Sequence, residues 1–212
     1  MNILSNKLII NYFDKANNEQ SGLGLKSHEV VSYFIEKLKL NLKVQEYGNY
    51  LDNSYNINKK VIFLSKDVFN SSSVGAISVS THELGHALQH KQKSALFYAF
   101  CVSIMLNKIS SFFIFPCLIF LVVSLFLETI YLKIALIILA CIYAINLISR
   151  LVVIPLEKNA SNKAIKLLKE YSILSKSELK IAKKLLNLAC FTYVGGFFKN
   201  YRKFFKNILR GF

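Results

Sequence analysis

A predominantly helical chain embedded in a membrane, with a small α+β portion, is the fold class that the sequence predicts. Hydrophobic residues make up 53% of the 212 residues, a larger share than ordinary soluble domains have. Two stretches, 110–127 and 130–148, are apolar over nearly the length that crosses a bilayer. A third stretch, "VGAISVSTHELGHALQ", repeats apolar residues at the spacing of an α-helix.

The two apolar stretches predict a transmembrane hairpin. Stretch 110–127 has no charged residue, and stretch 130–148 has only Lys133, near its start. At about 1.5 Å per helical residue, each nearly spans a hydrocarbon layer of about 30 Å. Only Glu128 and Thr129 join the two stretches, so both ends of the hairpin would emerge on the same side of the membrane. The alternative is a buried helix pair in the core of a soluble protein.

Positive charge is concentrated near the C-terminus, since residues 155–212 carry most of the net charge of +15. No nucleic-acid-binding motif accompanies these charges, so we expect no nucleic-acid partner. They flank the apolar stretches and favour a multi-pass protein of the cell membrane whose two flanks face the cytoplasm. The tail, residues 197–212, has an aromatic face and a basic face. This pattern is typical of a helix on an anionic lipid surface, although docking of a partner protein is an alternative.

The chain is expected to form one domain with three parts. Residues 1–95 form a cytoplasmic part, residues 96–154 hold the membrane segments, and residues 155–212 form basic C-terminal helices. Segment 94–106 is too short to span a bilayer and is expected to lie on its surface or to re-enter it. Segment 59–65, "KKVIFLS", is predicted to be a short edge strand. Its free edge would either pair with an extended peptide or belong to an ordinary structural strand.

The sequence "HELGH" predicts a metal site on the third stretch. On a helix, His82 and His86 lie one turn apart on the same face, so both imidazoles can bind one ion. Glu83 follows the first histidine and can take a proton from a water on that ion. Segment 70–73, "NSSS", offers candidate N-cap residues for the helix. The small residue Gly85 would let another backbone approach closely.

Two histidines do not complete a catalytic zinc site, which usually has three protein ligands and an open position for water. A three-histidine pattern needs Gly at 89 and His at 92, but this chain has Gln89 and Gln92. His90 follows His86 by one turn, and three ligands along one helical stripe could not meet at a single ion. His90 is therefore expected to lie at the surface or behind the ligands, and a carboxylate from elsewhere to be the third ligand.

The best candidate for this carboxylate is Glu157, in the segment "IPLEKNASNKAIKLLKEY". Pro155 is predicted to begin a new helix, with Glu157 in its first turn and an apolar stripe behind it. Glu157 would leave the membrane on the same side as the HELGH helix. The alternative is an acidic residue that only favours the positive end of the helix dipole.

Several segments together resemble the YugP-like membrane zinc metallopeptidases. In chain order they are "SGLGLKSHEVVSYFIEKL", "KVIFLSKDVFNSSSVGAISVSTHELGHALQH", "IPLEKNASNKAIKLL" and "LACFTYVGG". The resemblance implies a zincin-like fold and a Zn²⁺-dependent peptidase that cuts protein or peptide substrates at the cytoplasmic membrane face. It also implies that His82, His86 and Glu157 bind zinc, with Glu83 as general base. Tyr193 matches the family's threonine-tyrosine pair and is either an oxyanion donor or a packing residue.

The chain departs from the pattern of this family in two places. Relatives usually open with a membrane helix that is missing or shortened here, and they carry an Asp-His-Tyr triplet where this chain has Asn53, Ser54 and Tyr55. HtpX-like and CAAX-protease-like families are alternatives, but their E-x-x-A-D motif would need an acid at Ser161. A non-catalytic, zinc-stabilised membrane scaffold is a third possibility, although it would not need Glu83.

Overall fold

The computed structural model describes residues 3–48 and 52–190, and most of these residues are helical. In chain order the elements are α1 (Ile3–Asn17), α2 (Ser27–Lys37), β1 (Lys43–Glu46), β2 (Ser54–Asn56), β3 (Val61–Leu64), α3 (Lys66–Phe69), α4 (Val74–Lys91), α5 (Ala95–Ser124) and α6 (Thr129–Glu170). A further helix, α7, covers residues 176–190. The chain is thus mainly helical, with a small sheet and two long apolar helices.

The chain divides into two compact units. One comprises Met1–Lys93 together with Glu157–Phe212, and the other comprises Ser94–Leu156. The first unit contains α1 to α4, the three strands, the last part of α6 and α7. The second contains α5 and the earlier part of α6.

Helix α4 lies at the centre of the first unit. Ser73 caps its N-terminus by accepting a hydrogen bond from the Ala76 amide at 3.1 Å, as the "NSSS" segment predicts. The predicted apolar positions of α4 are all buried; they are Val74, Ile77, Thr81, Leu84 and Leu88. They contribute to a core that α1, α2, α3 and the strands β2 and β3 surround. Burial of this face holds the HELGH segment in a rigid helix.

The sheet has the strand order β1-β3-β2, so β3 is its central strand. It pairs in parallel with β1 and antiparallel with β2. The prediction that segment 59–65 forms an edge strand is therefore wrong, because both of its edges are occupied. Burial explains the arrangement, since Ile62 and Leu64 are fully enclosed whereas the residues of β1 and β2 are mostly exposed or half-buried.

Helix α5 runs without interruption from Ala95 to Ser124. Segment 94–106, predicted to be a separate membrane-surface piece, instead forms the first turns of this helix. The polar residues after it do not end the helix, because they bond to its own carbonyls. Asn107 Nδ2 donates to the Ser103 carbonyl at 3.1 Å, and Ser110 Oγ donates to the Asn107 carbonyl at 3.1 Å.

Helix α6 is also continuous, from Thr129 to Glu170. Pro155 was predicted to begin a new helix, but it lies inside α6. Proline removes one backbone hydrogen bond, a cost that long apolar helices tolerate. The stripe after it is buried as predicted, with Ala160, Ala164 and Leu168 fully enclosed.

Within the second unit, α5 and α6 pack as an antiparallel pair joined by residues 125–128. Asn146 Nδ2 donates to Ser110 Oγ at 3.2 Å, and Ser149 Oγ donates to the Ser103 carbonyl at 3.3 Å. Both helices are long and apolar enough to cross a membrane. Only 6% of the most apolar stretch of α5 and 12% of that of α6 is buried, which fits poorly with the alternative of a soluble core pair.

Candidate metal centre

The two histidines of HELGH face each other on α4. Their spacing of one helical turn brings His82 Nε2 and His86 Nε2 to 3.2 Å, with the ring planes nearly perpendicular at 86°. The side chains retain 12% and 15% of their exposure, so both rings lie just below the surface. Two nitrogen atoms so close together need a shared proton or a shared cation between them.

Glu157 brings a carboxylate to the same point from α6. Its Oε2 lies 3.1 Å from His82 Nε2 and 3.6 Å from His86 Nε2. Its side chain is only 10% exposed, and a buried carboxylate requires a cationic partner. His82 and Glu157 therefore meet within the first unit although they are 75 positions apart in the sequence.

The three atoms form a triangle suited to a zinc ion. Zinc bonds of about 2.0 to 2.1 Å in a tetrahedral arrangement place neighbouring ligand atoms about 3.3 to 3.4 Å apart. The observed separations of 3.1, 3.2 and 3.6 Å lie around that value. Two imidazoles and one carboxylate are also the ligand set of many catalytic zinc sites. His82, His86 and Glu157 therefore fit a zinc ion in both geometry and chemistry.

The charges of the group are arranged for a cation. Burial by itself would lower the pKa of His86, but contact with Glu157 and the negative charge of Glu83 outweigh burial and raise this pKa to about 9. Burial would likewise raise the pKa of Glu157, but hydrogen bonding to His82 and His86 holds it at about 2. Near neutral pH the metal-free site therefore holds an ionised carboxylate and a protonated His86, whose proton a metal ion must replace.

Each histidine ring is also held on its far side. His82 Nδ1 lies 3.2 Å from Ser161 Oγ, and His86 Nδ1 donates to Gln89 Oε1 at 3.0 Å. Gln89 is fully buried, and its amide nitrogen donates in turn to Asn159 Oδ1 at 3.0 Å. Because the Gln89 side-chain oxygen can only accept, it keeps a proton on His86 Nδ1 and leaves His86 Nε2 for a metal ion. Together the two contacts turn both Nε2 atoms toward Glu157.

Gly85 allows α4 and α6 to approach closely enough for the site to close. A Cβ atom at this position would lie 2.5 Å from the Ala160 carbonyl oxygen, closer than any side chain tolerates. The sequence predicted a close backbone approach at Gly85, and the structure identifies the partner as the α6 turn that follows Glu157. Contact between these two helix backbones determines how close the Glu157 carboxylate comes to His82 and His86.

The other predicted site residues lie as follows. Glu83 is half-buried on α4, and its charge acts on His86, but it is not one of the three converging groups. His90 Nδ1 lies 2.8 Å from the Tyr55 hydroxyl and takes no part in the group. Tyr193 lies outside the described residues, as does the tail 197–212.

Sequence reasoning missed the roles of Gln89, Asn159 and Ser161. Helical spacing could have predicted two of them, because Gln89 is three residues after His86 and Ser161 is four residues after Glu157. Residues three or four apart share a helix face. No comparable signal pointed to Asn159, whose partner Gln89 lies on another helix.

Three comparisons with known proteins bear on this site. The family model described as "Putative neutral zinc metallopeptidase" matches residues 2–210. The chain is similar to the "Putative membrane protease YugP" of Bacillus subtilis (strain 168), with 28% identity over 186 residues that cover 86% of this chain and 79% of that protein. No solved structure matches the chain significantly. Because this family model covers nearly the whole chain, the protein belongs to the family described as "Putative neutral zinc metallopeptidase".

Proposed function

We propose that this chain is a zinc-dependent peptidase of the cell membrane that hydrolyses peptide bonds in protein or peptide substrates. The observation that carries the proposal is that His82 and His86 of α4 converge with Glu157 of α6. Glu83 is next to His82 on the same helix α4. A zinc site that only stabilises a fold usually has four protein ligands, whereas three converge here among the described residues and Glu83, beside them, suits a general base. The family membership and the name of the Bacillus relative support the same activity.

The roles of the side chains follow from their positions. When bound, zinc supplies a Lewis acid that lowers the pKa of a water molecule and polarises the substrate carbonyl. Glu83 accepts the proton of that water and later delivers it to the leaving amine. His82, His86 and Glu157 hold the ion, while Ser161 and Gln89 orient the imidazoles. For Tyr193, whose role rests on its match to the family's threonine-tyrosine pair and not on its position, we propose donation of a hydrogen bond to the developing oxyanion.

Substitution of Glu83 by Gln tests the proposal directly. The amide keeps the size of the side chain and leaves all three ligands in place, but it cannot accept the proton. We expect Glu83→Gln to retain bound zinc and to cleave casein about 100-fold to 10,000-fold more slowly than the wild type. Bound zinc is measured by elemental analysis, and cleavage by release of labelled peptides.

Glu170→Gln is the matched control, because it removes the same charge from an exposed position on α6. It should leave both zinc content and cleavage unchanged. Equal cleavage by the wild type and Glu83→Gln would refute the role of the base. A wild-type protein that binds zinc but cleaves nothing would favour the non-catalytic scaffold.

We further propose that α5 and α6 cross the membrane and that both flanks of the hairpin face the cytoplasm. The length and exposed apolar surface of the helices support the crossing, and the basic residues of segment 155–212 support the orientation. Single cysteines introduced at Ser172 and Thr129 test the orientation with a membrane-impermeant thiol reagent. In intact cells, position 129 should react and position 172 should not. Labelling of position 172 from outside would reverse the topology.

A further inference from the structure

A polar cavity lies in the first unit, and none of the three metal ligands lines it. Its volume is about 290 Å³, and its walls come from the segment after α2, from β2 and from the last turns of α4. Three lysines line it: Lys39, Lys60 and Lys91. None of the described residues that line it is acidic. The cavity is therefore a concave surface with one sign of charge, which concentrates ions of the opposite sign.

The positive charge of the cavity is not neutralised by neighbouring side chains. Within the described part of the chain, no carboxylate forms an ion pair with any of the three lysines. Lys91 Nζ donates to the Leu38 carbonyl at 2.9 Å, which fixes its ammonium group at the end of α2. Lys39 and Lys60 are exposed, so their long side chains can turn toward an anion in the cavity.

The backbone at two of the lysines is unusual. Lys39 has φ of 49° and Lys60 has φ of 53°, a left-handed conformation that favours glycine or asparagine. Hydrogen bonds hold both backbones, since the Lys39 amide donates to the Glu36 carbonyl at 3.0 Å and the Lys43 amide donates to the Lys60 carbonyl at 3.1 Å. Lys93, which does not line the cavity, has the same conformation, so the place of Lys39 and Lys60 in the lining, and not their backbone, favours a ligand.

The remaining walls are suited to a ligand with a polar head. Tyr55 Oη lies 2.8 Å from His90 Nδ1, which fixes a hydroxyl and an imidazole in the wall. Burial raises the pKa of Tyr55, so its hydroxyl keeps its proton at neutral pH. Leu40 and Ala87 add a buried apolar surface to the lining.

We propose that this cavity binds a phosphate group, carried either by a free solute or by the headgroup of a phospholipid. A phosphate dianion balances several ammonium groups better than a single carboxylate does, and its oxygens accept bonds from several donors at once. Lysine is a common ligand for phosphate because it acts as a point charge. The cavity is distinct from the metal centre, so phosphate binding there does not depend on peptidase activity.

Titration of inorganic phosphate into the full-length, zinc-loaded protein in dodecyl maltoside micelles, which contain no phosphate, tests the proposal by calorimetry. Lys39→Gly and Lys60→Gly should each raise the Kd about tenfold, which matches the loss of one charge-assisted hydrogen bond. Glycine is compatible with the left-handed backbone at both positions, so these variants should fold at least as well as the wild type. Lys93→Gly is the matched control, because Lys93 has φ of 49° but does not line the cavity. Its Kd should stay at the wild-type value.

The proposal would be overturned if the wild type bound no phosphate, or if all three variants weakened binding equally. It would also be overturned if none of the variants weakened binding, which is the result expected for phosphate held at the zinc ion. Adding phosphatidylglycerol to the micelles distinguishes the two sources of phosphate. If the lipid headgroup occupies the cavity, the anionic lipid should abolish titration by inorganic phosphate. If a free solute is the ligand, the Kd should be the same with and without the lipid.

Discussion

The two units of this molecule bury different proportions of apolar and polar side chains. In the first unit, the enclosed residues of α4 and its neighbours are mainly apolar, and the largest include Phe34, Ile77 and Leu84. In the second unit, α5 and α6 enclose the serines at positions 103, 110, 124 and 149 beside a few apolar residues, while most of their apolar side chains are exposed. The first pattern is stable in water, and the second would be stable in hydrocarbon, the surroundings that we propose for α5 and α6.

The polar contacts differ in the same way. In the second unit, Asn146 and Ser149 form hydrogen bonds across the helix pair, the kind of contact that holds helices together in hydrocarbon. In the first unit, the buried polar side chains of Gln89 and Ser161 surround the metal ligands. The hairpin uses its buried polar groups for packing, whereas the first unit uses them to prepare a chemical site.

A lysine placed on the exposed surface of each unit should produce the largest difference between the two units. Ile137 is 63% exposed on α6, and Leu23 is 54% exposed in the first unit. If α6 faces lipid, Ile137→Lys should disfavour membrane insertion by about 3 kcal/mol, whereas Leu23→Lys should change stability by no more than about 0.5 kcal/mol. Insertion is measured as the membrane-integrated fraction of newly made protein, and stability by thermal unfolding in detergent.

These two substitutions introduce the same side chain at similar exposure, so each is the control for the other. A soluble protein would tolerate both. Equal insertion of the two variants would mean that the apolar surface of the second unit does not meet hydrocarbon, and the contrast between the units would then need another explanation.

Gly85→Ala should produce the next largest effect, and it tests how tightly the first unit is packed. The new methyl group would meet the Ala160 carbonyl oxygen at 2.5 Å, and a backbone atom cannot move aside without its helix. We expect a loss of about 1 to 3 kcal/mol in stability. Zinc affinity should fall as well, because displacement of α6 carries Glu157 away from His82.

Gly22→Ala is the control for this substitution. Its Cβ would lie 3.7 Å from Glu178 Oε1, an ordinary contact, so stability and zinc affinity should both stay near the wild-type values. If Gly85→Ala behaved in the same way, the close approach of α4 and α6 would not be what brings Glu157 to the histidines.

The site could be predicted from the sequence more completely than the fold around it. The interval between His82 and His86 is set by helix geometry alone, and the HELGH helix has the cap and buried face that its sequence predicts. Glu157 could be identified because few acidic residues compete for the role. The orienting residues were harder to predict, because Asn159 acts through Gln89 on a different helix.

The sheet was predicted poorly for a physical reason. Its outer strands, β1 and β2, have four and three residues, mostly exposed or half-buried. Such segments lack the alternation of apolar and polar residues that marks a strand, so only β3 gave a signal. When only one strand is predicted, it has no predicted neighbours, and β3 was therefore predicted to be an edge strand.

The two long apolar helices were predicted in place but not in extent. Segment 94–106 was predicted to be separate from stretch 110–127, and Pro155 was predicted to begin a new helix, since proline usually interrupts helices. Asn107, between the two predicted segments, instead bonds to a carbonyl of its own helix. If these helices lie in hydrocarbon, as we propose, broken backbone hydrogen bonds are so costly that a helix continues through residues that would end it in water.

The pH dependence of zinc binding gives the smallest of the expected effects, about tenfold per pH unit. Without metal, His86 has its pKa raised from 6.5 to about 9, so zinc must displace its proton at any lower pH. Glu157, with its pKa lowered to about 2, stays ionised over this range and adds no dependence. Zinc affinity should therefore rise between about pH 7 and 9 and level off above the pKa of His86, as measured by competition with a chelator. Glu83→Gln removes one of the negative charges that raise this pKa, so its affinity should level off at a lower pH. An affinity independent of pH from about 7 to 9 would mean that His86 is already unprotonated before the metal binds.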